Sequence, residues 1–186
     1  MNIERGGLPS LSYADVSRTS ETIRNGVGEC SLGAILVAVS DKGVCAILLG
    51  DDPDFLPREL QDRFPHARLI PGGADLDPVV TEVAGFIEAP GLGLDLPLDM
   101  RGTSFEQEVW QALCAIPAGS TASYSEIAKR IGATNEAQAV AEACAANTIA
   151  VAVPCHRVVR KNGQLGGYRW GFRRKRALLN REAVAA

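Results

Sequence analysis

The sequence predicts an α/β protein in two parts, a strand-bearing first half followed by a mainly helical second half. Three observations carry this expectation. Two runs rich in β-branched residues, 33–39 and 43–49, flank the turn Asp41-Lys42-Gly43 and read as a hairpin. A stretch rich in Gly and Pro, 89–97, separates the halves. Beyond residue 100, helix-start signals recur at helical spacing.

Residues 1–19 are polar and mixed, and read as a flexible tail. Residues 54–64 place Phe55, Leu56, Leu60 and Phe64 at helical spacing, and 79–87 form a second short helix. The connector 89–97 reads as extended, with room for one strand. Thr103 followed by Glu106 has the form of a capping box. The helix it opens runs to about Ile116 and buries Phe105, Val109, Trp110 and Leu113, until Pro117-Ala118-Gly119 breaks it. Ser123 caps a helix over 124–131. After the turn Gly132-Ala133-Thr134-Asn135 a third helix covers 136–146 and ends at Asn147. This is a helix-turn-helix layout. A last helix covers 173–182. Divided this way, the chain has a tail at 1–19, one domain at 20–97 and a second at 98–186.

Composition limits the function. Hydrophobic residues make up 46% and charged residues 22%, ordinary for a soluble globular chain. No apolar run is long enough to span a bilayer, and the first residues show no secretion signal. The expected setting is the cytoplasm. Five cysteines, Cys30, Cys45, Cys114, Cys144 and Cys155, form no CxxC pair. Neither a disulfide framework nor a zinc site is expected, and all but Cys155 read as small buried hydrophobes. Residues 1–99 hold 7 basic and 16 acidic side chains, and residues 100–186 hold 12 and 6. A basic second half suggests a polyanionic partner.

The chemistry concentrates in Ile149-Ala-Val-Ala-Val-Pro-Cys-His-Arg-Val-Val159. An apolar, strand-like run delivers Cys155 next to His156. A thiolate is the nucleophile, and an ordinary thiol needs a nearby base to become one. In an extended segment neighbouring side chains point apart, so His156 reaches Cys155 through a water or after a bend. Glu182 is one of six acids in this half able to orient the base. On pattern alone, a core thiol beside a surface histidine fits about as well.

Pro154-Cys155-His156-Arg157-Val158-Val159 resembles the signature of the O6-alkylguanine-DNA alkyltransferases. Around it, 102–113, 123–128, 143–147, 167–171 and 175–182 are similar to the same family, most of all to the C-terminal half of Ada-type proteins. The resemblance implies a small ribonuclease-H-like α/β domain followed by a helical domain with the helix-turn-helix and the reactive cysteine. It implies that Cys155 accepts an alkyl group from O6 of guanine (with O4 of thymine a second substrate), irreversibly and once per molecule. His156 would be a water-mediated base, Glu182 its orienting acid, and Asn147 the residue that holds the turn. Tyr124 would meet the flipped guanine and the phosphate backbone. Gln138, Ala139, Val158, Tyr168, Arg157 and Arg169 fall at guanine- or DNA-contacting positions. The implied partner is DNA containing O6-alkylguanine, acted on by a monomer with no metal, cofactor or membrane.

The sequence departs from the family at Gln138, where an arginine normally stands. With Glu136 and Glu142, the third helix carries two acids and no base, which is unfavourable against phosphates. Arg101, Lys129, Arg130, Arg157, Arg160, Lys161 and Arg169 remain as candidate phosphate contacts. A non-reacting lesion binder or sensor, a transcription regulator and a cysteine hydrolase are the competing classes. The presence of Cys155, the acidic helix and the adjacent histidine argue against them in that order.

Overall fold

The computed structural model describes residues 21–185; the expected tail at 1–19 lies outside them. The first half is a four-stranded sheet with two helices. Strands β1 (Thr22–Cys30), β2 (Gly33–Ser40), β3 (Gly43–Gly50) and β4 (Arg68–Pro71) lie in the order β3-β2-β1-β4. The first three are antiparallel neighbours, and β4 joins β1 in parallel. Helices α1 (Leu56–Arg63) and α2 (Asp77–Glu88) match the expected helical segments. The β2–β3 hairpin is as expected. Both strands are buried almost throughout, the mark of strands covered on two faces.

Strands β1 and β4 were not anticipated. Strand β1 contains Gly26, Gly28 and the polar Asn25 and Glu29, a composition that argues against a strand. Packing explains the glycines. A Cβ on Gly28 would sit 2.6 Å from Val80 of α2, and one on Gly26 would sit 3.0 Å from the same side chain. The glycines let α2 lie close against the sheet.

The second half follows its capping signals. Helix α3 (Ser104–Cys114) opens at Thr103, whose Oγ1 accepts from Glu106 N at 3.2 Å while Glu106 Oε2 accepts from Thr103 N at 2.8 Å. Helix α4 (Tyr124–Arg130) opens on the same reciprocal pair between Ser123 and Glu126. A turn with Asn135 at φ 80° leads into α5 (Ala137–Ala146). Trp110 Nε1 donates to Ala143 O at 2.8 Å and ties α3 to α5. Two-residue strands β5 (Ala122–Ser123) and β6 (Val158–Val159) pair in parallel, joining the start of α4 to the segment after Cys155. Helix α6 (Phe172–Ala185) turns Lys175, Leu178 and Glu182 inward, the i, i+3, i+7 spacing of one helical face.

The two halves meet along the outer edge of β3. Val44 N donates to Pro97 O and Asp99 N to Val44 O, each at 2.8 Å. Ile47 N donates to Thr148 O at 2.9 Å, and Ala150 N to Ile47 O at 3.0 Å. The connector and the segment leading to Cys155 therefore satisfy backbone groups that an open edge strand would leave unpaired.

Charge also holds the halves together. Arg174 of α6 pairs with Asp51 at 2.5 Å and donates to Leu32 O at 2.8 Å. Arg181 donates to Ile87 O at 2.8 Å and lies 3.6 Å from Glu88. Arg101 pairs with Glu21 and Asp99, and Arg169 lies 3.6 Å from Glu59. Much of the basic excess read as a polyanion signal is thus engaged by carboxylates of the first half. Arg101 in particular is committed to Glu21 and Asp99 rather than presented to phosphates. Among the described residues no helix is long and apolar enough to cross a membrane.

Candidate active site around Cys155

The segment before Cys155 is not the strand that its composition suggests. After Ile149 bridges to Ile47 the chain enters turns, with Val151 at φ 61°, and Cys155–Arg157 form one 3-10 turn. Asn147 explains this shape. Its Oδ1 accepts from Ile149 N at 2.8 Å, and its Nδ2 lies 3.0 Å from Val153 O and 3.3 Å from Ile149 O. One buried amide thereby satisfies the backbone groups that a sheet ladder would otherwise pair. A β-branched residue with positive φ is costly; here the amide and the β3 edge fix the backbone on both sides of Val151.

Cys155 is 3% exposed. Asn147 Nδ2 donates to its Sγ at 3.2 Å. Burial pushes the thiol up to about 11, and the Asn147 hydrogen bond and the Lys175 ammonium work against that rise. The resting residue is a thiol. Its thiolate has two stabilisers in place, but forming it requires a proton acceptor.

His156 and Glu182, open to a surface reading from sequence, are each 1% exposed. His156 Nε2 donates to Glu182 Oε1 at 2.7 Å. Its Nδ1 is buried and has no partner among the described residues. Burial holds the imidazole below its usual range, against the upward pull of Glu182. The ring is neutral, with the proton on Nε2 and a free lone pair on Nδ1, as a general base requires.

Arg157 corrects an expectation. Read as a guanine or DNA contact, it is instead only 7% exposed and faces inward. Its Nε and NH2 lie 3.0 and 2.9 Å from the two Glu182 oxygens, and its NH1 donates to Ile116 O at 2.6 Å. Burial pushes the Glu182 carboxyl upward, yet the hydrogen bonds from His156 and Arg157 outweigh it and hold the group at about 2. One carboxylate thus serves a neutral base and a permanent cation together. No sequence signal points to this, because an arginine in a basic segment ordinarily faces solvent.

Lys175 was missed as well. It is fully buried, with Nζ 2.6 Å from Val158 O and 3.1 Å from Gly167 O. Burial lowers its pKa, and only the thiolate forms of Cys155 and Cys144 would draw it upward. The inward spacing Lys175, Leu178, Glu182 on α6 was the available signal. Val158 therefore offers a carbonyl that is already engaged by Lys175.

A cavity of about 290 Å³ opens beside Cys155 and is walled by Tyr124, Ala141, Cys144, Gly167, Tyr168 and Arg169. Tyr124 is half-buried over Gly166, where a Cβ would fall 2.4 Å from the hydroxyl. Tyr168 Oη and Trp170 Nε1 are buried without partners among the described residues, and burial raises the Tyr168 phenol well above its usual range. Arg169 NH1 donates to Ala145 O at 2.7 Å. Gln138 is exposed on α5, with Nε2 3.3 Å from Glu142 Oε1, and Ala139 is half-buried on the same helix. Cys45 and Cys144 are buried and Cys30 is partly so; Cys114, expected inside, is exposed. Among the described residues no cluster of three or more His, Cys, Asp or Glu is placed to hold a metal ion.

The site thus sets a buried thiol at the wall of a cavity and, one residue on, a histidine hydrogen-bonded to a buried carboxylate. The family model of the 6-O-methylguanine DNA methyltransferase DNA-binding domain matches residues 104–184. The chain is 51% identical to the bifunctional transcriptional activator/DNA repair enzyme Ada of Escherichia coli, over 87% of this chain and 46% of that protein. It is 42% identical to the inducible methylated-DNA–protein-cysteine methyltransferase of Bacillus subtilis, over 67% of this chain and 69% of that one. The Mycobacterium tuberculosis OGT structure in complex with DNA superposes with a TM-score of 0.71 at 35% identity, covering 89% of this chain and 94% of that one. The chain belongs to the methylated-DNA–protein-cysteine methyltransferase family. It spans about half the length of the Ada relatives that it matches.

Proposed function

We propose that this protein repairs DNA by moving an alkyl group from O6 of guanine, with O4 of thymine as a lesser substrate, onto Cys155. The observation that carries the proposal is the Asn147–Cys155 contact of 3.2 Å at the wall of the cavity. It supports the reading because a hydrogen-bond donor already meets the sulfur where a thiolate would form, beside open space. The thiol proton passes through a water to His156 Nδ1, and Glu182 steadies the imidazolium. The thiolate attacks the alkyl carbon, an S–C bond forms, and the C–O6 bond breaks. The electron pair of the broken bond stays on guanine, and Tyr168 Oη donates toward O6 as that charge develops. The product is a thioether, a very poor leaving group, so each molecule reacts once.

O6 lies within the base stack, so the nucleotide leaves the duplex at a cost of a few kcal/mol. In this reading α4 and α5 act as a helix-turn-helix against DNA, with Tyr124 at the phosphate backbone and Gln138 and Ala139 on the facing helix. Tyr124, Tyr168 and Arg169 border the base. Arg157 has no part in DNA contact; it organises Glu182. The first half is a ribonuclease-H-like domain, a reading supported by the antiparallel hairpin strands with β4 parallel to β1. The boundary falls near residue 97, and the protein works as a cytoplasmic monomer.

Gln138 with Glu142 favours a second reading, a damage sensor with little activity on duplex DNA. Restoring charge with Gln138→Arg separates the two: a faster duplex reaction supports weakened flipping, and equal rates discard that explanation. The proposal itself is tested by chromatography of an oligonucleotide carrying one O6-methylguanine. Guanine should appear in an amount equal to the protein added, and none should appear with Cys155→Ala. Guanine in molar excess over protein would overturn the single-turnover chemistry.

A further inference from the structure

The cavity at Cys155 does not end at the base site. It shares Tyr124, Ala141 and Gly167 with a second depression of about 380 Å³, which passes below Gln138. That depression shares Ser125, Arg160 and Lys161 with a third, of about 460 Å³, which reaches Lys129 and Ser123. Together they form a trough leading away from the reactive sulfur along α4. Lys129, Arg160 and Lys161 are exposed along it. Its acid, Glu126, is taken up by the capping box, where Oε2 accepts from Ser123 N at 2.6 Å.

The trough differs from the arginines that face the first half and the buried cluster. Arg101, Arg157, Arg169, Arg174 and Arg181 all face carboxylates within 4 Å. Among the described residues no ion pair occupies Lys129, Arg160 or Lys161. Across the trough, α5 offers Gln138 and the acids Glu136 and Glu142 to anything that approaches it. A duplex brings two phosphate backbones to this surface, and only one of them can lie in the trough. The other has no counter-charge on α5, where it meets carboxylates instead.

Building on the alkyl-transfer reading above, we propose that the trough holds the sugar-phosphate backbone of the lesion-bearing strand alone, making single-stranded DNA the preferred substrate. Lys129, Arg160 and Lys161 neutralise successive phosphates, and Ser123 and Ser125 line their path. The alkylated base turns past Tyr124 toward Cys155. A single strand has no partner strand to set against α5 and no pairing to break before its base enters, so both costs of the duplex are absent.

The test is the rate at which Cys155 gains one methyl from the same O6-methylguanine oligonucleotide, single-stranded or annealed, at several salt concentrations. Each rate is expressed relative to that on free O6-benzylguanine, which carries no phosphate. The single strand should react several-fold faster than the duplex. In Lys129→Gln/Lys161→Gln the log–log salt slope on single strands should become shallower by about 1.4, at about 0.7 for each phosphate no longer neutralised. That is roughly a sevenfold smaller fall in rate between 50 and 200 mM salt. A duplex that reacts faster than the single strand, or an unchanged slope in the double variant, overturns the trough. Failure of Cys155 to react with free O6-benzylguanine and with both forms of DNA overturns the alkyl-transfer reading instead.

Discussion

The two halves of this protein use charge in opposite ways. The first half places its carboxylates at the periphery, where Asp51, Glu59, Glu88 and Glu21 reach across to arginines beyond residue 100. These pairs are partly or wholly wet. The second half buries one carboxylate, Glu182, and gathers His156 and Arg157 around it. Exposed ion pairs are worth little, typically below about 1 kcal/mol. A buried cluster is costly to assemble and more costly to break. The difference suggests a division of labour: peripheral pairs set how the halves sit together, and the buried cluster sets the protonation state of His156.

Breaking the cluster should have the largest effect. Glu182→Gln leaves Arg157 buried without its counter-ion and should cost about 3–5 kcal/mol in denaturant unfolding. The same group makes stability depend on pH. Its folded pKa, about 2, lies below the ordinary carboxylate value. Its contribution is therefore complete above that ordinary value of about 4.3 and is lost as pH falls toward 2. Unfolding curves from pH 6 to pH 2 should show a steeper loss for the native protein than for Glu182→Gln. Parallel loss in both would place the acid sensitivity elsewhere.

Arg157 sharpens the comparison. Burial opposes protonation of His156, and the cations of Arg157 and Lys175 add to that opposition. Removing one of them in Arg157→Met should raise the imidazole pKa, so the acid limb of the rate of Cys155 alkylation by free O6-benzylguanine should move to higher pH. Arg157→Lys should restore part of the native profile, because the charge returns without the two-pronged geometry. A lower rate with an unmoved limb would reduce Arg157 to a packing role.

At the periphery the effects should be smaller. Arg174→Ala removes donors to Leu32 O and Trp170 O together with the Asp51 pair, and should cost about 1–2 kcal/mol, mostly through the carbonyl contacts. Asp51→Asn keeps those contacts and should leave the denaturation midpoint close to native. If Asp51→Asn costs as much as Arg174→Ala, the exposed pair matters more than the contrast between wet and buried charge allows.

What the sequence disclosed follows the same division. Local signals were legible: the Thr103 capping box, the Ser123 cap, the helix breaks at Pro117 and the turn before α5, and the β2–β3 hairpin all depend on neighbours in the chain. Strand β1 was hidden, because its glycines answer to Val80 some fifty residues away. The approach to Cys155 looked like a strand because its residues are apolar and branched, while its shape is set by the side chain of Asn147. Cys155 and His156 stood out in the sequence and family resemblance added Glu182; the structure pairs His156 with Glu182 and sets Asn147 against Cys155. Arg157 could not be placed, since nothing in its neighbours marks it for burial, whereas Lys175 shares the i, i+3, i+7 face with Leu178 and Glu182 and could have been. The acidic and basic halves were plain to see, but a count of charges does not distinguish arginines that clamp the protein from those that meet a ligand.

The most direct test of the central claim is peptide-mapped mass spectrometry of the protein after exposure to DNA containing O6-methylguanine. One added methyl per molecule is expected at saturation, carried by the peptide containing Cys155, with Cys30, Cys45, Cys114 and Cys144 unmodified. A methyl on another cysteine, or restored guanine with no methyl on the protein, would contradict it.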